Sequence, residues 1–146
     1  MAVTNTGASF SGYTGLVEAR SGKFGTSASG GGAGTIYMKN AADRIGYGTV
    51  LVDNNGLTSS GSTDVPPSPP NVTNEVEFVS FNVANAATLR LTNDFMLGDI
   101  FLQSTDSRLN LGFKTLTVRS REHPLGLGYV TNYGAIIWWP DIPKGA

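Results

Sequence analysis

Side chains able to do chemistry are few in this chain, and their types limit what the chemistry is. The acids are Glu18, Asp43, Asp53, Asp64, Glu75, Glu77, Asp94, Asp99, Asp106, Glu122 and Asp141. Hydrolysis or elimination on a polysaccharide needs clustered carboxylates, or a carboxylate-bound Ca²⁺ with a Lys or Arg base. Asp94 and Asp99 bracket Phe95-Met96-Leu97-Gly98, and Asp106 follows on a turn, so stacking could bring Asp94 near Asn110 or Lys114. The plainer role of Asp at turns is to cap backbone amides, and no loop has the dense Asp/Asn spacing of a Ca²⁺ site. His123 is the single histidine, in Arg121-Glu122-His123-Pro124, and no cysteine accompanies it. A zinc or copper site of the usual kind is therefore not expected. No serine sits in a nucleophile-elbow context. Neither an enzyme activity nor a cofactor is expected.

Aromatic residues are the better lead. Flat rings pack on apolar C–H faces while polar neighbours bond hydroxyls. Alternation along strands turns Tyr37, Phe101 and Tyr129 outward and leaves Phe113 and Tyr133 at turns. One of the adjacent Trp138 and Trp139 must face out if both lie on a strand. Arg90, Gln103, Asn110, Lys114 and Asn132 are the candidate hydrogen-bonding neighbours. An exposed single aromatic is ordinary, and Trp138 could equally cap an apolar end.

What must position these residues is a repeat. Leu89-Arg90-Leu91, Ile100-Phe101-Leu102, Leu109-Asn110-Leu111 and Leu116-Thr117-Val118 each put two apolar side chains on one face and one residue on the other. The first triplet recurs in the third after about twenty residues, the length of one coil of a stacked solenoid. Val130 follows Leu109, and Ile136 follows Leu116, at a similar interval. Ile36 and Met38, and Val50 and Val52, extend the expected inner stack toward the N-terminus. No helical pattern persists; residues 39–46 make one turn at most. The fold expected is all-β, a short right-handed parallel β-helix of about five to six coils, forming one domain over residues 1–146.

The connections fit that scheme. Ser27 to Gly34 is turn chemistry suited to a tight corner. Residues 57–75 read as a Pro/Ser-rich loop insertion, because Pro66, Pro67, Pro69 and Pro70 fix φ and remove donors. Asn71-Val72-Thr73 within it matches a glycosylation sequon. Strands resume at 76–78 and 81–83, residues 119–124 form a polar loop, and 128–139 make the last coil. Pro140 to Pro143 is expected to end the ladder and cover its edge.

Composition narrows the partners. Of 146 residues 14% are charged, the formal net charge is −1, and there is no basic stripe to neutralise phosphates, so nucleic acid is excluded. No run is long enough to span a membrane. The first ten residues lack the charged and apolar regions of a signal peptide, and the chain reads as one module of a larger secreted protein. Without cysteine, stability rests on packing and hydrogen bonds.

Gly31 to Lys39 (GGAGTIYMK), Gly48 to Gly56 (GTVLVDNNG) and Leu109 to Val118 (LNLGFKTLTV) resemble segments of large bacterial extracellular right-handed parallel β-helix proteins, and Val130 to Trp138 resembles a terminal coil. The resemblance covers roughly residues 30–140 apart from the proline loop. It implies an extracellular or cell-surface location. It also implies a carbohydrate-binding module, with xylan or a similar β-linked plant polysaccharide as ligand. Two other functions are compatible with it: a structural or adhesive segment of a surface protein, and a minimal polysaccharide lyase or hydrolase.

Overall fold

The computed structural model describes residues 11–22, 30–44, 46–65, 77–120 and 125–138. Within them lie eleven strands and no helix: β1 Thr35–Met38, β2 Tyr47–Asp53, β3 Thr63–Val65, β4 Phe78–Ala84, β5 Thr88–Leu91, β6 Phe95–Leu97, β7 Asp99–Leu102, β8 Arg108–Asn110, β9 Thr115–Val118, β10 Tyr129–Thr131 and β11 Ala135–Trp138. They form sheet I (β1-β2-β4-β7), sheet II (β10-β8-β5-β3) and sheet III (β11-β9-β6). Every strand pair is parallel except β1 with β2.

The chain visits the sheets in a fixed order. β4, β5 and β6 supply sheets I, II and III in turn, and β7, β8 and β9 repeat the round. In the next round Gly126 bridges Leu102 of sheet I, and β10 and β11 follow in sheets II and III. The recurring triplets are what makes this possible. Leu89 pairs with Leu109 and Leu109 with Val130; Phe95 pairs with Leu116 and Leu116 with Ile136. Equivalent leucines therefore lie in line, and one face of each sheet is continuously apolar.

Ten of the residues assigned to the interior are buried: Val50, Val52, Leu89, Leu91, Ile100, Leu102, Leu109, Leu111, Leu116 and Val118. Val79, Phe81, Val83, Phe95 and Leu97 join them in a single cluster. Val130 and Ile136 pack against it and are half-buried.

Two expectations are corrected. Ile36 and Met38 pair with Leu51 and Thr49, whereas Tyr37 pairs with Val50 and Thr35 with Val52. Paired residues share a face, so Tyr37 lies on the same face as Val50 and Ile36 on the opposite one, yet on this edge strand Tyr37 remains exposed and Ile36 and Met38 are half-buried. Alternation fixes which residues share a face; register decides which face is covered. Second, the segment 57–75 is not loop throughout: Thr63–Val65 is a strand, with Thr63 and Val65 buried, paired in parallel with β5. Among the described residues no sheet has more than four strands. Each round uses three strands and about twenty residues, and triplets in successive sheets belong to the same round.

Ser27 to Gly34 falls partly outside the described residues, but its end is ordered against the strand that the sequence concealed. The Ser59 hydroxyl donates to the carbonyls of Gly30 (3.0 Å) and Gly31 (2.7 Å). A Cβ on Gly61 would meet the Gly30 carbonyl oxygen at 2.5 Å, so only glycine allows these segments to approach so closely. Pro66 to Pro70, the sequon at Asn71, His123, Trp139 and Pro140 to Pro143 lie outside the described residues.

Candidate functional site

The turn from sheet II to sheet III occurs in three successive rounds, and the pairings on either side measure its length. The span from Leu109 to Leu116 is one residue longer than the spans Leu89–Phe95 and Val130–Ile136. The middle turn absorbs the extra residue with left-handed backbone at Gly112 (φ 53°) and Phe113 (φ 61°). Phe113 is thrust outward and is 77% exposed. In the following round Tyr133 occupies the equivalent turn, after Asn132 (φ 50°), and is 78% exposed.

Hydrogen bonds hold both turns in place. Asn110 Oδ1 accepts from Gly112 N (2.9 Å) and from Asn132 Nδ2 (2.9 Å). Phe113 N donates to Asn132 O (3.1 Å), Lys114 N to Leu111 O (2.8 Å) and Ala135 N to Lys114 O (3.2 Å). From the preceding round, Asp94 Oδ1 accepts from Thr115 N (2.8 Å). Asp94 is thus near Lys114, and it acts as a backbone cap.

Beside this turn lies the outer face of sheet II. Tyr129 on β10 is 43% exposed, and the Arg108 guanidinium stands 5.4 Å from its ring centroid. Asp64, Arg90, Asn110 and Thr131 form one row across the four strands. Arg90 makes a two-pronged ion pair with Asp64, Nε to Oδ1 at 2.7 Å and a terminal nitrogen to Oδ2 at 2.8 Å. Those bonds hold the Asp64 carboxyl below the usual range against the opposing effect of burial, and they raise Arg90. Asp106 is also lowered, chiefly by the Ser104 hydroxyl (2.6 Å), with the Arg108 charge a lesser contribution.

The fold therefore gathers Phe113, Tyr129, Tyr133, Arg90, Asn110, Lys114 and Asn132 on sheet II and its adjoining turn. It places the other candidates elsewhere. Phe101 (44% exposed) and Gln103 belong to sheet I. Tyr37 lies on the edge strand of that sheet, where its hydroxyl donates to Tyr47 O (2.6 Å); burial, then the Asp43 charge, raises its ionisation. Trp138 pairs with Val118 and packs against the core, so its ring faces inward. Arg108 is a neighbour the residue types alone did not single out. Its pairing with Tyr129 in adjacent strands was the available signal.

Other carboxylates also cap backbone amides: Asp53 accepts from Asn55 N, Asp99 from Ile100 N and Asp43 from Asn40 N. Among the described residues no three acids or histidines converge on a metal-sized site, and no helix is long and apolar enough to cross a membrane. Comparison with protein-family models, curated proteins and solved structures finds no match for this chain.

Proposed function

We propose that this chain is a non-catalytic carbohydrate-binding module, folded as a short right-handed parallel β-helix. Its ligand is xylan or a similar β-linked plant cell-wall polysaccharide, held on Phe113 and Tyr133. The observation that carries the reading is Phe113 itself. A bulky residue at positive φ costs about 1–3 kcal/mol, and such positions concentrate at functional sites. Glycine would relieve the strain, and a polar residue would suit the exposure better. Phenylalanine there offers a flat apolar face to something outside the fold, with Tyr133 in the next round and amides from Asn110 and Asn132 close by.

The helical path is supported by the fixed order of the three sheets and by parallel pairing from round to round. Its right-handed sense follows from the strong preference of crossovers between parallel strands of one sheet. An extracellular or cell-surface location on a bacterial protein, and attachment to further domains of a larger secreted chain, belong to the same proposal.

Affinity electrophoresis against a panel of soluble glycans tests it. The wild-type chain is expected to be retarded by at least one β-glycan, and Phe113→Ala and Tyr133→Ala to migrate freely while melting like wild type. Free migration of the wild type in every gel sinks the proposal.

A second reading has one observation behind it. Val130, Ile136 and Trp138 in the last round are half-buried, while their partners Leu109, Leu116 and Val118 are fully covered. A structural or adhesive segment would extend the stack at that end. It predicts self-association in light scattering and no retardation by glycans.

A further inference from the structure

Resting on the carbohydrate reading, we propose that the glycan runs along β10, across the stack rather than up it, and that Tyr129 is a second platform which only a chain longer than a disaccharide reaches. Register carries this inference. Phe113 N donates to Asn132 O, Ala135 N donates to Lys114 O, and Thr115 pairs with Ala135. In a parallel ladder those bonds set Phe113 opposite Tyr133, one strand spacing of about 4.8 Å away, and leave Gly112 as the residue without a counterpart. Both rings are mostly exposed, so neither buries the other. Up the stack the aromatic line stops there. In the round before, the same turn is Thr92-Asn93-Asp94, exposed and without a ring. Next to it the outer row of sheet II is taken up by the Asp64–Arg90 ion pair.

Along β10 the line continues. Val130 packs on the core, so alternation turns Tyr129 and Thr131 outward together. Tyr133 follows at the turn. Four residues of strand separate the two tyrosines by up to about 13 Å, less where Asn132 bends the chain (φ 50°). One pyranose ring does not span that distance, so the two rings meet different sugars of one chain. Tyr129 is also held ready. The half-buried Arg108, on β8, sets its guanidinium over the Tyr129 ring at 5.4 Å. The free face of the ring is therefore turned away from β8, toward the side on which β10 is an edge among the described residues. A ring backed by a cation in this way has less freedom to lose on binding. Between the platforms, Thr131 brings a hydroxyl. Asn132, whose NH₂ donates to Asn110 Oδ1, offers its side-chain oxygen. Both are partners for sugar hydroxyls.

Amide NMR titration with the disaccharide, tetrasaccharide and hexasaccharide of the xylan and mixed-linkage β-glucan backbones tests the path. Affinity is expected to rise by about tenfold or more from disaccharide to hexasaccharide. The disaccharide should shift amides around Phe113 and Tyr133, and the hexasaccharide those of Tyr129 to Thr131 as well. Tyr129→Ala should weaken the hexasaccharide by about tenfold and the disaccharide by less than about threefold. Tyr129→Phe, which keeps the ring, should bind like wild type, and Tyr129→Leu replaces the alanine variant if that one melts early. Three outcomes overturn the path and leave the carbohydrate reading standing: equal affinity for all lengths, a hexasaccharide indifferent to Tyr129→Ala, or shifts that spread to Asp64 and Arg90 instead of along β10. So does a chain that is retarded by a polymer but binds no oligomer. No binding of any oligomer and no retardation by any glycan overturns both.

Discussion

Phe113 sets a conflict between stability and function at a single backbone position. At φ 61° its Cβ crowds the neighbouring carbonyl, a penalty that glycine lacks. Its ring is mostly solvated, so little packing energy is lost with it. Phe113→Gly is therefore expected to raise stability by about 1 kcal/mol in urea unfolding while abolishing glycan retardation. A variant that is clearly less stable would show that the ring serves packing, and the binding proposal would lose its support. Asp64 makes a different prediction at the same scale. Its folded-state pKa lies below the ordinary value of about 3.9 because Arg90 donates two bonds to it. The stabilisation is fully present above that ordinary value and disappears as pH falls through the folded value. Asp64→Asn should thus lose stability near neutrality and show a shallower decline between about pH 5 and about pH 2. Both side chains are exposed, so the effect is small; parallel denaturation curves across that range would show that the pair contributes nothing.

Where elements meet, backbone proximity replaces side-chain choice. Gly98 joins β6 of sheet III to β7 of sheet I, and its N–H donates to Val79 O at 3.0 Å. A Cβ there would stand 2.5 Å from the Phe78 carbonyl carbon and 2.9 Å from its Cα. Phe78 cannot retreat easily: it stacks on Tyr47 with ring centroids 5.0 Å apart, and the Arg119 guanidinium, paired with Glu77, lies 4.7 Å from its ring. Gly98→Ala should cost about 1–3 kcal/mol by forcing two rounds apart, read as a lower melting temperature; an unchanged melt would mean the seam is loose. This dependence on pairing also explains what the sequence could and could not convey. The triplets at Leu89, Ile100, Leu109 and Leu116 alternate cleanly, so their inner residues were legible. β3 and β6 have three residues each; Thr63-Asp64-Val65 lies in a Ser- and Thr-rich stretch, and Phe95-Met96-Leu97 alternates no polar residue. Tyr37 is exposed as its alternation suggests, but its pairing with Val50 was not legible, because a strand's phase is set by its partner, here an antiparallel one. The aromatic types at the candidate site were visible, but the extra residue at Phe113 was not. A difference of one between two repeat intervals reveals an insertion only once the pairs flanking the turn are known.

Across the whole molecule, successive rounds contact chiefly their neighbours, so stability should vary along the stack. Leu109 is fully buried between Leu89 and Val130, whereas Val130 has its described strand pairing on one side and is half-buried. Leu109→Ala should cost about 2–5 kcal/mol through lost burial and the cavity left behind. Val130→Ala removes less from a site already partly open and should cost about 1 kcal/mol. Leu109→Asp goes further, placing a charge without a partner inside the apolar column, and should prevent cooperative folding. Native-state hydrogen exchange gives the same contrast without substitution. Amides of β5, β8 and β9 should exchange only through global opening, while those of β10 and β11 exchange through a smaller, local one. Uniform protection along the chain, with equal costs at Leu109 and Val130, would mean that one cooperative core spans the rounds. Phe113 and Tyr133 sit at the boundary between the more and the less stable rounds, so a bound glycan bridging them should slow exchange in β10 and β11 more than in β5, and Phe113→Ala should remove that difference.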